Sequence, residues 1–205
     1  MYMRKLYIRS FYPFIMDVIT KEEFERNKEK YFSLIKEGSV FIYPTDTIYG
    51  IGCSALDSDA IKRVRELKGR LNIPFSVIAP SRRWISENCI TDGDAKDWID
   101  KLPGPYTLIL KMKNSSAVSK EVNPKNGTIG VRLPKHWIYQ YFAEFGIPII
   151  TTSANKTGKD FMTKIENLDS DIKLKTEFII YEGVKFGTPS TIISLDNEEP
   201  EIIER

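Results

Sequence analysis

The feature that most constrains this chain is a repeated pattern. Short apolar runs read as buried strands, each ends at a proline or a hydroxyl-rich corner, and helix-length amphipathic segments separate them. The clearest run is Ser39-Val40-Phe41-Ile42-Tyr43, which stops at Pro44 because proline has no N–H to give the ladder. Thr45-Asp46-Thr47-Ile48-Tyr49-Gly50-Ile51-Gly52-Cys53 follows at once, with hydroxyls, a carboxylate, a phenol and two glycines that let the backbone turn or pack closely. A strand that delivers such a cluster to its carboxyl end is a common way for an α/β protein to build a ligand site. An ordinary corner with solvated polar groups has the same composition, so the other segments must decide between the two.

Thr20-Lys21-Glu22-Glu23 has the form of a capping box and opens an amphipathic helix over Lys21–Lys36, closed by Gly38. Asp57 or Ser58 caps a second helix over Ala60–Lys68, with Ile61, Val64 and Leu67 on one side. Cations in Lys68-Gly69-Arg70 complement a helix C-terminus. Gly69 and Asn72-Ile73-Pro74 also put both cations in a loop, where they can converge on phosphate. Strands are expected at Phe75–Ala79 and Tyr106–Met112, with helices at Arg82–Glu87 and Asp92–Leu102 and a sharp break at Pro103-Gly104-Pro105.

Residues 113–126 are polar and turn-rich, and Gly127–Leu133 is a strand ended by Pro134. It carries Thr128 and Arg132 four residues apart, hence on one face. A hydroxyl and a guanidinium there suit an anionic ligand, and a cross-strand salt bridge is the plainer alternative. A helix over His136–Phe145 leads to the strand Gly146–Ile150, which delivers Thr151-Thr152-Ser153-Ala154-Asn155 to its end. Thr163-Lys164-Ile165-Glu166 repeats the capping-box signature. Phe178–Tyr181, Thr191–Leu195 and Ile202-Ile203 complete the strands, and Tyr7-Ile8-Arg9 reads as a short edge strand. The class is α/β: one twisted, mixed sheet with flanking helices, in a single domain over residues 1–205.

Composition removes several alternatives. With 41% hydrophobic residues a sizeable core can form. A net charge of +2, from 30 basic and 28 acidic residues, gives no strong field for nucleic acid or membrane. Cys53 and Cys89 lie far apart, which argues against a zinc site or a disulfide framework and for a reducing cytoplasm. No transmembrane-length stretch or signal peptide is evident. Walker A, G-x-G-x-x-G, HExxH and GxSxG patterns are absent. His136 is the single histidine and reads as structural, with no triad around it. The available parts are Lys68, Arg70, Thr128, Arg132, Ser153, Asn155 and Ser190. They are rich in cations and hydroxyls and poor in bases, a set suited to positioning and charge neutralisation in phosphoryl or nucleotidyl transfer.

Six motifs carry a family resemblance: Pro44-Thr45-Asp46-Thr47-Ile48-Tyr49-Gly50, Lys68-Gly69-Arg70, Pro103-Gly104-Pro105-Tyr106-Thr107, Val131-Arg132-Leu133-Pro134, Thr152-Ser153-Ala154-Asn155 and Pro189-Ser190-Thr191. Together, over about residues 35–205, the chain resembles the YrdC/Sua5 family of threonylcarbamoyl-adenylate synthases, in its short, single-domain form. Residues 1–34 form an N-terminal extension and amphipathic helix outside the motifs. The resemblance implies a YrdC-like sheet curved around a large, concave, positive cavity. It also implies a reaction in which L-threonine, bicarbonate and ATP give threonylcarbamoyl-AMP and pyrophosphate for t6A modification of tRNA. Mg²⁺ would accompany ATP through its phosphates rather than occupy a protein-only metal site. Downstream threonylcarbamoyl-transfer machinery, and contact with tRNA, are the implied partners; a membrane is not.

By the same resemblance, Thr47, Arg132, Thr151 and Ser190 would bind threonine. Lys68 and Arg70 would serve catalysis by spreading over the triphosphate, and Thr128, Ser153, Asn155 and Arg205 would hold the nucleotide. The family pattern is not matched at Leu71, Ile78 and Phe161. Two other readings compete. One is a carbamoyl-adenylate-forming domain of the hydrogenase-maturation type, which would bring CxxC motifs. The other is a tRNA- or double-stranded-RNA-binding module without adenylyl transfer, which would call for a basic run.

Overall fold

The computed structural model describes residues 16–70, 72–124, 127–197 and 199–203. In chain order these form β1 (Asp17–Ile19), α1 (Lys21–Arg26), α2 (Lys28–Lys36), β2 (Phe41–Tyr43), β3 (Gly50–Gly52), α3 (Ser58–Lys68), β4 (Ser76–Ile78), α4 (Arg82–Asn88) and α5 (Asp94–Asp100). Then come β5 (Tyr106–Lys111), β6 (Thr128–Arg132), α6 (Ile138–Phe145), β7 (Ile149–Ser153), α7 (Ser170–Lys175), β8 (Phe178–Ile180), β9 (Thr191–Ser194) and β10 (Glu201–Ile203). The strands join in one sheet of order β1-β8-β2-β3-β7-β4-β6-β5-β9-β10. Both parallel pairs, such as β4 with β6, and antiparallel pairs, such as β2 with β3, occur, so the sheet is mixed as expected.

Side-chain alternation assigns the two faces. Phe41 and Tyr43 of β2, Phe178 and Ile180 of β8, Ile149 of β7 and Ile78 of β4 pack with Phe24, Tyr31, Phe32, Ile35, Ile138 and Phe142 from α1, α2 and α6. Ile42, Ile51, Val77, Val131, Leu108, Ile150 and Ile179 point the other way and pack with Ile61, Val64 and Leu67 of α3, Ile85 of α4, Ile99 of α5 and Ile172 of α7. The face that α6 covers at Ile78 and Ile149 continues past that cover. There the same period of two presents Ser76, Gly130, Arg132 and Thr151, and the pairing registers bring Ser76 beside both Gly130 and Thr151. This uncovered polar end of an otherwise covered face is where the site lies.

Several local expectations change. The Thr20 capping box forms, with Glu23 N–H donating to Thr20 Oγ1 at 3.2 Å and Thr20 N–H to Glu23 Oε2 at 2.8 Å. The expected single helix over Lys21–Lys36 breaks at Asn27, whose side chain donates to Glu23 O at 3.0 Å in competition with the helical ladder. Thr163 opens only a 3₁₀ turn at Ile165–Asn167, because Asn167 rather than Glu166 folds back to it, at 2.8 Å. The strand expected over Gly146–Ile150 runs further, so that Thr151-Thr152-Ser153 at its tip belong to β7 itself. Lys68 closes α3, as the helix expected over Ala60–Lys68 has it, and is buried there rather than carried in the following loop with Arg70. The edge strand expected at Tyr7-Ile8-Arg9 lies outside the described residues. Among those described, no helix is long and apolar enough to cross a membrane.

Candidate active site

The corner between β2 and β3 is built from its own hydroxyls. Thr45 Oγ1 donates to Ile48 O at 2.7 Å, accepts from Thr47 N–H at 3.2 Å and lies 2.9 Å from Thr47 Oγ1. These bonds replace ladder partners that the turn forgoes. The two glycines of β3 are there for close packing: a Cβ at Gly52 would stand 2.7 Å from the Tyr43 ring and 2.8 Å from Ile150 O. Gly187, arriving from the β8–β9 connection, crosses the same corner so closely that a Cβ would overlap Thr47 O.

Arg132, at the end of β6, reaches into this corner. Its Nη2 donates to Asp46 Oδ1 at 2.9 Å, and both terminal nitrogens approach Thr47 Oγ1, at 3.4 and 3.3 Å. Asp46 Oδ2 accepts from Lys135 N–H at 3.0 Å, just past Pro134, so Asp46 acts as a hydrogen-bonded counter-ion. Arg132 is 6% exposed, and its Nε is buried with no acceptor among the described residues. Burial lowers the guanidinium pKa and Asp46 draws it back up. A buried donor without an acceptor is costly, and an anionic ligand oxygen would relieve that cost.

Beside Arg132 opens a cavity of about 350 Å³. That volume suits a small ligand or part of a larger one. Arg70, Arg132, Thr151, Ser153 and Ser190 line it, with Thr45, Tyr49, Ser76, Thr107, Thr152 and Thr157 adding hydroxyls and Ile48, Phe75 and Ile192 adding apolar wall. No carboxylate stands among the described lining residues. Lys68 and Asn155 sit just behind the wall. Lys68 Nζ donates to Ser153 O at 2.6 Å and Asn155 Oδ1 at 2.8 Å, and Ser153 Oγ donates to Asn155 Oδ1 at 2.6 Å. Lys68 therefore ties α3 to the β7 tip. Thr47 meets the cavity through Arg132.

Thr128 shares the strand face of Arg132 but is four residues, about 13 Å, away. It lines a different hollow, its hydroxyl accepting from Asn123 Nδ2 at 3.2 Å. Arg205 lies outside the described residues. Ile78, where the family pattern is not matched, is buried under α6.

Sequence reasoning passed over Arg65. It is buried, and it donates to Glu121 O at 3.1 and 2.6 Å, Val122 O at 3.2 Å, Ile73 O at 2.8 Å and Arg70 O at 3.2 Å, with its guanidinium 4.5 Å over the Phe75 ring. It thereby fixes the turn that presents Arg70. The signal was present in the sequence: Ile61, Arg65 and Lys68 follow i, i+4, i+7 on the buried face of α3.

The chemistry open to such a site is binding and charge stabilisation. Two cations and many hydroxyls converge, with no imidazole or carboxylate among the described lining residues to act as base. Burial pushes the Cys53 thiol up, and that of Cys89 to about 11, so neither is an activated thiolate.

The fold and this cavity define an α/β protein whose mixed sheet ends in an open, hydroxyl-lined cavity that carries two arginines. The chain belongs to the Sua5/YciO/YrdC family, whose model, described as "Telomere recombination", matches residues 33–205. A Methanocaldococcus jannaschii relative, named provisionally as a threonylcarbamoyl-AMP synthase, is 34% identical over 184 residues, which cover 85% of each chain. Pyrococcus abyssi Sua5, solved in complex with L-threonine, superposes with a TM-score of 0.81 at 30% identity, covering 93% of this chain and 57% of that one. Escherichia coli YciO superposes with a TM-score of 0.80 at 25% identity, covering 92% and 94%. The chain thus spans most of the shorter relatives and little more than half of the longer one.

Proposed function

We propose that this protein is a threonylcarbamoyl-AMP synthase that works in the cytoplasm. The amine nitrogen of L-threonine bonds to the carbon of bicarbonate, a C–O bond breaks, water leaves with an amine proton, and N-carboxythreonine forms. A carboxylate oxygen of that intermediate attacks the α-phosphorus of ATP, a new P–O bond forms, the bond to the β-phosphate oxygen breaks, and pyrophosphate leaves. The product, threonylcarbamoyl-AMP, serves t6A formation in tRNA through a downstream transfer enzyme. Mg²⁺ enters with the triphosphate, as part of the substrate.

The observation that carries this reading is the buried Arg132, whose Nε lacks an acceptor among the described residues beside a hydroxyl-lined cavity, in a chain similar to a Sua5 solved with L-threonine. In the proposed division, Arg132, Thr47, Thr151 and Ser190 serve the amino acid, while Arg70 and Ser153, backed by Lys68 and Asn155, serve the phosphates. Thr128 and Arg205 are proposed for the far end of the nucleotide. A site of this kind accelerates the reaction by holding carboxylate and α-phosphate in line and neutralising the charge that develops on pyrophosphate.

The test is pyrophosphate release from ATP with Mg²⁺, with bicarbonate and L-threonine supplied or withheld separately and the adenylate identified by mass. Release that requires both is the expected result. ATP binding without release, or release indifferent to threonine, would refute the assignment.

A further inference from the structure

Thr107 and Ser190 form a hydroxyl pair that the proposed reaction has not yet used in full. Their oxygens are 2.7 Å apart, and both residues line the cavity. They are 2% and 4% exposed. The pair is made across the sheet: β5 runs parallel to β9, with Tyr106 opposite Thr191, so the residue after the one strand's start meets the residue before the other's. Leu108 pairs with Val131, and both face the α3 side of the sheet, which leaves Thr107 and Arg132 on the cavity side of adjoining strands.

Two hydroxyls carry two protons, and their mutual bond uses one. Among the described residues, neither oxygen has a further acceptor for the second proton. A buried donor left without an acceptor is unfavourable, and both residues of the pair open onto the cavity. The dyad is therefore a built donor, and its partner must be an oxygen on whatever fills the cavity.

We infer that Thr107 is a positioning residue for the amino-acid substrate. By holding Ser190 Oγ through their shared hydrogen bond, it fixes one O–H so that it donates to a substrate oxygen. This rests on the amino-acid side of the proposed function, to which Ser190 already belongs. It adds that Ser190 cannot act alone: without Thr107, its hydroxyl is free to rotate and its donor is no longer aimed.

The experiment is a double-variant cycle read by calorimetric L-threonine binding, with pyrophosphate release followed alongside. T107V keeps the β-branched shape and removes the hydroxyl, and T107S keeps the hydroxyl. T107V is expected to weaken L-threonine binding about tenfold, as for one hydrogen bond lost in a dry site. The KM for ATP should stay within about twofold of the parent, and T107S should come back to near the parent. T107V added to S190A should cost little beyond S190A alone, because the effect passes through Ser190. Full additivity in that background, an unchanged affinity in T107V, or T107S as weak as T107V would overturn the inference. Parent protein that binds L-threonine without releasing pyrophosphate would sink the synthase assignment while leaving the cycle valid. Parent protein that does neither would overturn both.

Discussion

At the scale of single residues, the site turns on one ion pair with two duties. Asp46 and Arg132 are both largely buried, with side chains 10% and 7% exposed, and bonded at 2.9 Å. A pair of this kind does not add much stability compared with apolar residues, but removing one member leaves the other charge stranded. R132A is expected to destabilise the fold by about 3 kcal/mol, a fall in Tm of about 5–10 °C for a chain of this size. It should also abolish threonine-dependent turnover. The double variant R132A/D46N separates the duties: thermal melting should show much of the stability restored, and the turnover assay none of the activity. R132K keeps the charge and loses the planar fork, and should raise the KM for L-threonine by about 100-fold while the KM for ATP moves little. Equal losses for both substrates would mean that Arg132 organises the whole cavity and not its amino-acid end.

At the scale of elements, Arg65 shows how much of the site could be read in advance. Periodicity placed α3, its Asp57 cap and its apolar side correctly, and the cap is observed, with Asp57 Oδ1 accepting from Asp59 and Ala60 N–H. Of the charged residues on that buried side, Lys68 reads as a C-terminal cation and Arg65 draws no notice, because helix-dipole reasoning explains a cation without asking where it points. Burial of a guanidinium is tolerable only if carbonyls meet its donors, and those come from Arg70, Ile73, Glu121 and Val122, contacts that no local pattern encodes. A salt bridge at Arg132 could be read in advance but not its partner Asp46, and the Thr107–Ser190 pair was hidden for the same reason, both being made between segments far apart in sequence. The motifs named the residues and the sheet register decided which of them meet. Thr128 makes the converse point, since sharing a strand face with Arg132 did not bring it into the same cavity. R65M, which keeps the stem and strands the carbonyls, is expected to cost about 3 kcal/mol by urea unfolding. Because Arg65 sets the turn bearing Arg70, it should raise the KM for ATP more than that for threonine. An unfolding midpoint within error of the parent would show that the turn holds itself.

At the scale of the whole molecule, Glu182 joins three segments around the site corner. Its carboxylate meets His136 Nε2 at 3.0 Å and accepts from Trp137 Nε1 at 2.7 Å, both just ahead of α6, and it pairs with Lys185 Nζ at 2.5 Å. Lys185 Nζ also donates to Thr45 O at 2.7 Å, and Glu182 N–H donates to the Tyr49 hydroxyl at 3.0 Å. The β8–β9 connection, the approach to α6 and the β2–β3 corner are therefore knotted through Glu182 and Lys185 together. Burial alone would raise the Glu182 pKa, but the hydrogen bonds from His136, Lys185 and Trp137 outweigh burial and hold the group down at about 2, against an ordinary 4.5. A carboxyl with its folded pKa depressed contributes stability that is fully present above the unfolded value. That contribution is lost as pH falls from about 4.5 through about 2, and it is worth on the order of 3 kcal/mol at about 1.4 kcal/mol per pKa unit. The variant E182Q keeps the shape and removes the charge. Urea midpoints for parent and variant should differ most near pH 6 and converge as pH is lowered toward 2, the gap between them reporting Glu182. A gap that stays constant across that range would mean that Glu182 contributes packing alone and that the knot does not depend on its charge.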